Sequence, residues 1–101
     1  MKIYISLPIS GRSLEEARNE ADLMKARLSR GGHTPVSPFN IYAGKNPTWK
    51  DHICCDLRAL ADCDAIILCE GWEESRGCNI EHDFARRMGI KIIKHEKKGM
   101  D

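Results

Sequence analysis

Glu81 is the acidic residue whose spacing most clearly predicts chemistry. It precedes the apolar residues Phe84 and Ala85 by three and four positions, and residues so spaced in a helix share one face. The spacing therefore places the Glu81 carboxyl group on an apolar face, where an acidic side chain is seldom found without a partner. The spacing favours a functional carboxyl group over the alternative, in which Glu81 lies at the edge of that face and reaches water.

Asp56 stands in a similar relation to a second predicted helix. It follows Ile53 by three positions and precedes Leu60 by four, and His52 lies one turn earlier. Taken alone, this pattern favours an exposed His–Asp pair. Two inward-facing carboxyl groups on separate helices, however, are typical of the paired acid and nucleophile that break glycosidic bonds.

The first predicted strand and the loop after it supply further candidate groups. Tyr4 lies between two isoleucines, so its hydroxyl group either reaches a site or closes the core. Ser10, Gly11 and Arg12 join that strand to a helix N-terminus, where free N–H groups and a guanidinium group can bind an anion. A capped turn with a solvated arginine explains the loop equally well, and the dinucleotide-binding and P-loop motifs are both absent.

Short apolar runs alternate with amphipathic helices along the chain, and this alternation predicts an α/β fold. The predicted strands are Lys2–Leu7, His33–Val36, Asp64–Cys69 and Ile90–Ile93. The predicted helices begin near Ser13, Thr48 and Ser75 and end near Gly31, Asp62 and Gly89. Right-handed crossovers then give a parallel sheet with helices on both faces, and ligands bind beyond the carboxyl ends of such strands.

Helical spacing also predicts which side chains of the first and third helices face the sheet. The first helix presents Leu14, Ala17, Ala21, Met24 and Leu28, and the third presents Ile80, Phe84, Ala85 and Met88. At the start of the first helix, Ser13 and Glu16 have the spacing of a capping box, in which each side chain accepts a hydrogen bond from the backbone of the other residue.

Length and composition limit the class of protein. The 101 residues suffice for one domain, predicted at 1–94, followed by a charged, disordered tail at 95–101. A net charge of +1 argues against a nucleic acid polymer as partner, and no apolar run approaches the ~20 residues that span a membrane. Five cysteines without metal-binding spacing predict free thiols in a cytoplasmic protein with no metal site.

Several of these segments together resemble a known superfamily. They are Tyr4 in the first strand, the turn Ser10-Gly11-Arg12, Asp56-Leu57 leading into Ala61-Asp62-Cys63-Asp64-Ala65, and the segment from Ser75 to Glu81 followed by Ala85. In combination they resemble the nucleoside 2-deoxyribosyltransferase superfamily, including its deoxynucleoside 5'-monophosphate N-glycosidase branch and small uncharacterised relatives. The resemblance covers nearly the whole chain.

The resemblance implies a fold and an activity. The implied fold is a small flavodoxin-like three-layer α/β/α sandwich with a parallel sheet of about four strands, in a homodimer or higher homo-oligomer. The implied reaction cleaves or transfers at the N-glycosidic bond of a small nucleoside or nucleoside 5'-monophosphate, without a cofactor. The alternatives are a module of the same fold that binds nucleotides without chemistry, and a protein-interaction domain in which the two acidic residues are incidental.

The resemblance also implies a role for each matched residue. Glu81 takes the position of the nucleophile, Asp56 that of the acid that protonates the departing base, and Tyr4 that of the residue that orients the nucleophile. The residues implied to contact the sugar or the phosphate are Ser10, Gly11, Arg12, Ser75 and Gly77. A nucleophile must be ionised while its partner acid holds a proton, so we expect Asp56 to have the higher pKa of the two.

Overall fold

Four short strands form a single parallel sheet in the computed structural model, which describes residues 1–95. The strands are β1 (Lys2–Ser6), β2 (Thr34–Val36), β3 (Ala65–Leu68) and β4 (Lys91–Lys94). Their order is β2-β1-β3-β4, and all three neighbouring pairs are parallel. This is the flavodoxin-like order, in which the direction of the strand order reverses between β1 and β3. The predicted fold class is confirmed.

Three helices connect the strands, and each begins at a side-chain cap. They are α1 (Leu14–Arg30), α2 (Trp49–Ala61) and α3 (Arg76–Arg87), with caps at Ser13, Thr48 and Ser75. The predicted hydrogen bond from the Glu16 N–H to the Ser13 hydroxyl is present, at 3.2 Å. The reciprocal capping box occurs instead in α2, between Thr48 and Asp51.

The alternation of side chains along each strand divides the core into two layers. On one face of the sheet, α1 packs Ala17, Ala21, Met24 and Leu28 against Ile3, Ile5, Ala65 and Ile67. On the other face, Leu60 of α2 and Ala85 of α3 pack against Tyr4, Ile66 and Leu68. Tyr4 and Ser6 therefore point from β1 toward the side of α2 and α3.

Two residues predicted to face the core are exposed. Leu14 and Met88 are each 56% exposed, so this part of the prediction is wrong. Leu14 is the first residue of α1 and lines a cavity, and Met88 is the C-cap of α3 beside an open depression with Leu57 and Phe84. Helical spacing identifies a face of a helix, but it does not show how far along that face the neighbouring layer extends.

Three further predictions concern the cysteines, membrane-spanning segments and the C-terminal tail. All five cysteines are free; Cys63, Cys69 and Cys78 are buried, whereas Cys54 is exposed and Cys55 half-buried. No helix within residues 1–95 is long and apolar enough to cross a membrane. The predicted tail lies outside the described residues except for His95, whose N–H donates to the Leu68 carbonyl at 3.0 Å.

Candidate active site

A cavity of about 760 Å³ opens at the carboxyl ends of β1, β2 and β3. Residues from the loops after these three strands line it together with residues of α1, α2 and α3. It therefore lies in the crevice that the alternation of strands and helices predicts, at the point where the strand order reverses. Sites for drug-sized ligands span roughly 300–1,000 Å³, so this cavity has room for a nucleoside or nucleotide.

Glu81 lies at the floor of this cavity, buried to 6% exposure. Both of its carboxylate oxygens accept hydrogen bonds from β1: the Tyr4 hydroxyl donates to Oε2 at 2.8 Å, and the Ser6 hydroxyl donates to Oε1 at 2.7 Å. Tyr4 is fully buried behind Glu81 and does not itself line the cavity. Alternate residues of one strand thus fix the orientation of a carboxyl group that α3 supplies.

Asp56 lines the same cavity from the half-buried side of α2. The two carboxyl groups are close enough for the charge of Asp56 to raise the pKa of Glu81. Burial, followed by the charges of Glu81 and Asp56, also raises the pKa of Tyr4 well above its ordinary value. The three groups that the sequence singles out for chemistry therefore form one electrostatic cluster, in which the single Tyr4 O–H donates to Glu81.

Burial is the main reason that both acidic groups hold protons more tightly than usual. It raises the pKa of Glu81 to about 7, although the hydroxyls of Ser6 and Tyr4 act in the opposite direction. It raises the pKa of Asp56 to about 6, with His52 and Tyr4 opposing it. The expectation that Asp56 has the higher pKa is therefore wrong, because Glu81 is the more deeply buried of the two and the charge of His52 lowers the pKa of Asp56.

Three of the residues implied to contact the sugar or the phosphate line the cavity: Ser10, Ser75 and Gly77. Ser75 also caps α3 by accepting a hydrogen bond from the N–H of Cys78 at 3.2 Å. Gly11 and Arg12 are not among the lining residues. Gly11 has a φ of 79°, so it serves a left-handed turn that disfavours other residues.

Arg12 is engaged elsewhere. Its guanidinium group donates to the Glu20 carboxylate at 2.8 Å and to the Pro8 carbonyl at 3.3 Å. A guanidinium group in a carboxylate pair must give up that partner before it binds another anion. The geometry of the loop after β1 thus separates Ser10, which lines the cavity, from Arg12, which does not.

The sequence patterns above do not identify every residue of the site. Ser6 is the clearest case. It lies two positions after Tyr4 on a strand, so both side chains share one face, and this spacing could have identified Ser6 as a second contact of the site. Arg18 and Arg76 also line the cavity. Among residues 1–95, no group of three or more metal-ligating side chains is placed to hold a metal ion.

Comparison with known proteins agrees with this architecture. Residues 1–94 match the sequence profile of a family described as Domain of unknown function (DUF4406). A 2-deoxyribosyltransferase from Bacillus psychrosaccharolyticus shares the fold, with a TM-score of 0.66, 18% identity, and coverage of 93% of this chain and 71% of that one.

A second similar structure is the CMP N-glycosidase BcmB from Clostridium botulinum. It has a TM-score of 0.64 and 21% identity, and the match covers 93% of this chain and 70% of that one. No curated protein matches the chain in sequence. The two structures show that the chain has the nucleoside 2-deoxyribosyltransferase-like fold, as its sequence motifs predict.

Proposed function

The chain belongs to the family described as Domain of unknown function (DUF4406), and from its fold and its cavity we propose that it cleaves or transfers at the N-glycosidic bond of a nucleoside or nucleotide. One observation carries the proposal: a buried glutamate, Glu81, is held at both oxygens by hydroxyl groups and shares a cavity with a second carboxyl group, Asp56. Two solved structures of this fold are described as a 2-deoxyribosyltransferase and a CMP N-glycosidase, which supports the same class of substrate.

In the first step, a carboxylate oxygen of Glu81 attacks the anomeric carbon of the sugar. A bond forms between that oxygen and the carbon, and the bond from the carbon to the base nitrogen breaks, its electron pair leaving with the base. Asp56 delivers its proton to the departing base, which leaves Asp56 ionised. The products are a glycosyl ester on Glu81 and the free base, which carries the proton that Asp56 has delivered.

In the second step, the ester is resolved. Water, or a second base, attacks the anomeric carbon and loses a proton to the Asp56 carboxylate. The bond between the sugar and Glu81 breaks, and both carboxyl groups return to their starting protonation states. Water as acceptor gives hydrolysis, and a base as acceptor gives transfer.

The hydroxyl groups of Tyr4 and Ser6 hold Glu81 ready for this attack. Each O–H donates to a carboxylate oxygen, and such bonds stabilise the ionised form, so both lower the pKa of Glu81. Without them, burial alone would keep the carboxyl group protonated further into the alkaline range. They also fix the carboxylate plane, which lowers the entropic cost of reaching the attacking geometry.

Release of free base tests the proposed function directly. The protein should liberate base from deoxynucleosides, ribonucleosides or their 5'-monophosphates, as separated and quantified by chromatography. Ligands that raise the melting temperature without any release of base would contradict the proposal and support a module that only binds nucleotides.

The pH dependence of kcat/KM should be bell-shaped. The active form needs an ionised Glu81 and a protonated Asp56. Because the pKa values of Glu81 and Asp56 are raised to about 7 and about 6, this form is the minor one of the two singly protonated forms, and its share is greatest between these two values. Below this range both groups are protonated and the nucleophile is lost; above it both are ionised and the acid is lost. We expect a narrow maximum between pH 6 and 7, and a flat profile from pH 5 to 9 would contradict the pairing.

A further inference from the structure

Two arginine side chains, Arg18 and Arg76, line the cavity without a carboxylate partner. Arg18 comes from the second turn of α1, and Arg76 is the first residue of α3. Neither forms a hydrogen bond or an ion pair with any other residue of the described part of the chain. By contrast, Arg12, Arg58, Arg86 and Arg87 are each paired with an acidic side chain.

Each of these two guanidinium groups is positioned by an aromatic ring that also lines the cavity. The central carbon of Arg18 lies 4.7 Å from the centre of the Phe39 ring, and that of Arg76 lies 4.2 Å from the centre of the Trp49 ring. Stacking on a ring fixes the guanidinium plane and leaves the N–H groups at its edge free to donate. The N–H groups of both guanidinium groups are thus available to donate hydrogen bonds to an anion.

Arg76 lies at a distance from the Glu81 carboxyl group that suits contact with the 5' substituent of a bound sugar. Arg76 precedes Glu81 by five residues on α3, which corresponds to about 7.5 Å along the helix axis. A sugar whose anomeric carbon meets Glu81 would direct its 5' substituent away from that carboxyl group. Two serines also line the cavity and add hydroxyl groups: Ser10 in the loop before α1, and Ser75 at the N-cap of α3.

Building on the proposed function, we propose that Arg18 and Arg76 bind a phosphate monoester, and that the substrate is a nucleoside 5'-monophosphate. Phosphate is the anion that suits forked guanidinium donors, and a bidentate contact adds geometric selectivity to the attraction of charge. The Glu74 carboxylate lines the same cavity and opposes the binding of an anion, so the two arginines also offset that charge. Arg12 takes no part, because Glu20 already occupies its guanidinium group.

Affinities for matched ligands test this assignment. In the Glu81→Gln chain, which would not consume the ligand, calorimetry compares a deoxynucleoside 5'-monophosphate with the same deoxynucleoside. Arg18→Gln and Arg76→Gln should each weaken binding of the monophosphate roughly tenfold or more, as expected for loss of a charge-assisted contact, and should change nucleoside binding little. Arg58→Gln, at a solvent-exposed position on α2, is the matched control and should change neither affinity.

Two outcomes would overturn the assignment. One is loss of monophosphate affinity in Arg12→Gln but not in Arg18→Gln or Arg76→Gln, which would place the phosphate at the loop after β1. The other is an equal loss for both ligands, which would assign the guanidinium groups to the base.

Base release separates this inference from the proposed function. Equal turnover of nucleosides and monophosphates, unchanged by either arginine substitution, would refute the phosphate site and leave the proposed chemistry standing. Arginine-dependent binding of the monophosphate without any release of base would support the phosphate site and refute the chemistry.

Discussion

Replacing Glu81 with glutamine should abolish the release of base, by roughly a thousandfold or more, because the covalent route loses its nucleophile. The amide retains the shape of the side chain: its oxygen can accept a hydrogen bond from one of the hydroxyl groups of Tyr4 and Ser6, and its NH2 group can donate to the oxygen of the other. Base release under saturating substrate, followed by chromatography, measures the effect. Glu15→Gln, on the exposed side of α1, is the matched control and should retain full activity.

The same substitution should stabilise the fold above neutral pH. The pKa of Glu81 is raised from 4.5 to about 7 in the folded chain, so the folded chain binds more protons than the unfolded chain between these values. The free energy of unfolding therefore falls as the pH rises from about 4.5 to about 7, by about 3 kcal/mol in total. Glutamine has no such proton to lose.

Thermal or denaturant unfolding at two pH values checks this expectation. Glu81→Gln should be more stable than the native chain at pH 8, by up to about 3 kcal/mol, and the gain should vanish near pH 4. A variant that is both inactive and less stable at pH 8 would show that Glu81 supports the fold rather than the reaction.

Replacing Asp56 with asparagine should slow the release of base by roughly 100- to 10,000-fold, the usual contribution of a general acid. The alkaline limb of the pH profile should disappear with it, because no group remains to lose its proton there. A substrate whose base leaves without protonation should be much less affected, since it does not need the acid.

The measurement compares the rates of base release by the native chain and by Asp56→Asn, for two substrates whose bases differ in their need for protonation. Asp62→Asn, at the exposed C-cap of α2, is the matched control and should keep the native pH profile. Equal losses for both substrates in Asp56→Asn would contradict the assignment of the acid and would indicate a structural role for Asp56 instead.

The sequence predicts which elements surround this site, and which of their faces meet, because strand alternation, helical spacing and helix capping are all local properties of the chain. Alternation on β1 places Tyr4 on one face, and helical spacing places Glu81 on the face of α3 that meets it. Caps at Ser13, Thr48 and Ser75 set where the helices begin, and therefore where the loops around the cavity lie.

The rest depends on contacts between distant parts of the chain. The pairing of Arg12 with Glu20 depends on how the loop after β1 folds back on α1, and the order of the two carboxyl pKa values depends on relative burial. No spacing in the sequence encodes the stacking of Arg18 on Phe39, since these residues come from separate elements. The homodimer, the cytoplasmic location and the tail remain predictions.

A mass spectrum of the protein stopped during turnover addresses the central claim. If Glu81 is the nucleophile, a fraction of the chain should gain the mass of the substrate's glycosyl group, including its 5'-phosphate where the substrate is a monophosphate, and digestion should locate that gain on the peptide that contains Glu81. The same glycosyl group on a different residue, or release of base from a slowly processed substrate with no glycosyl group bound to the chain, would show that the bond breaks by another route.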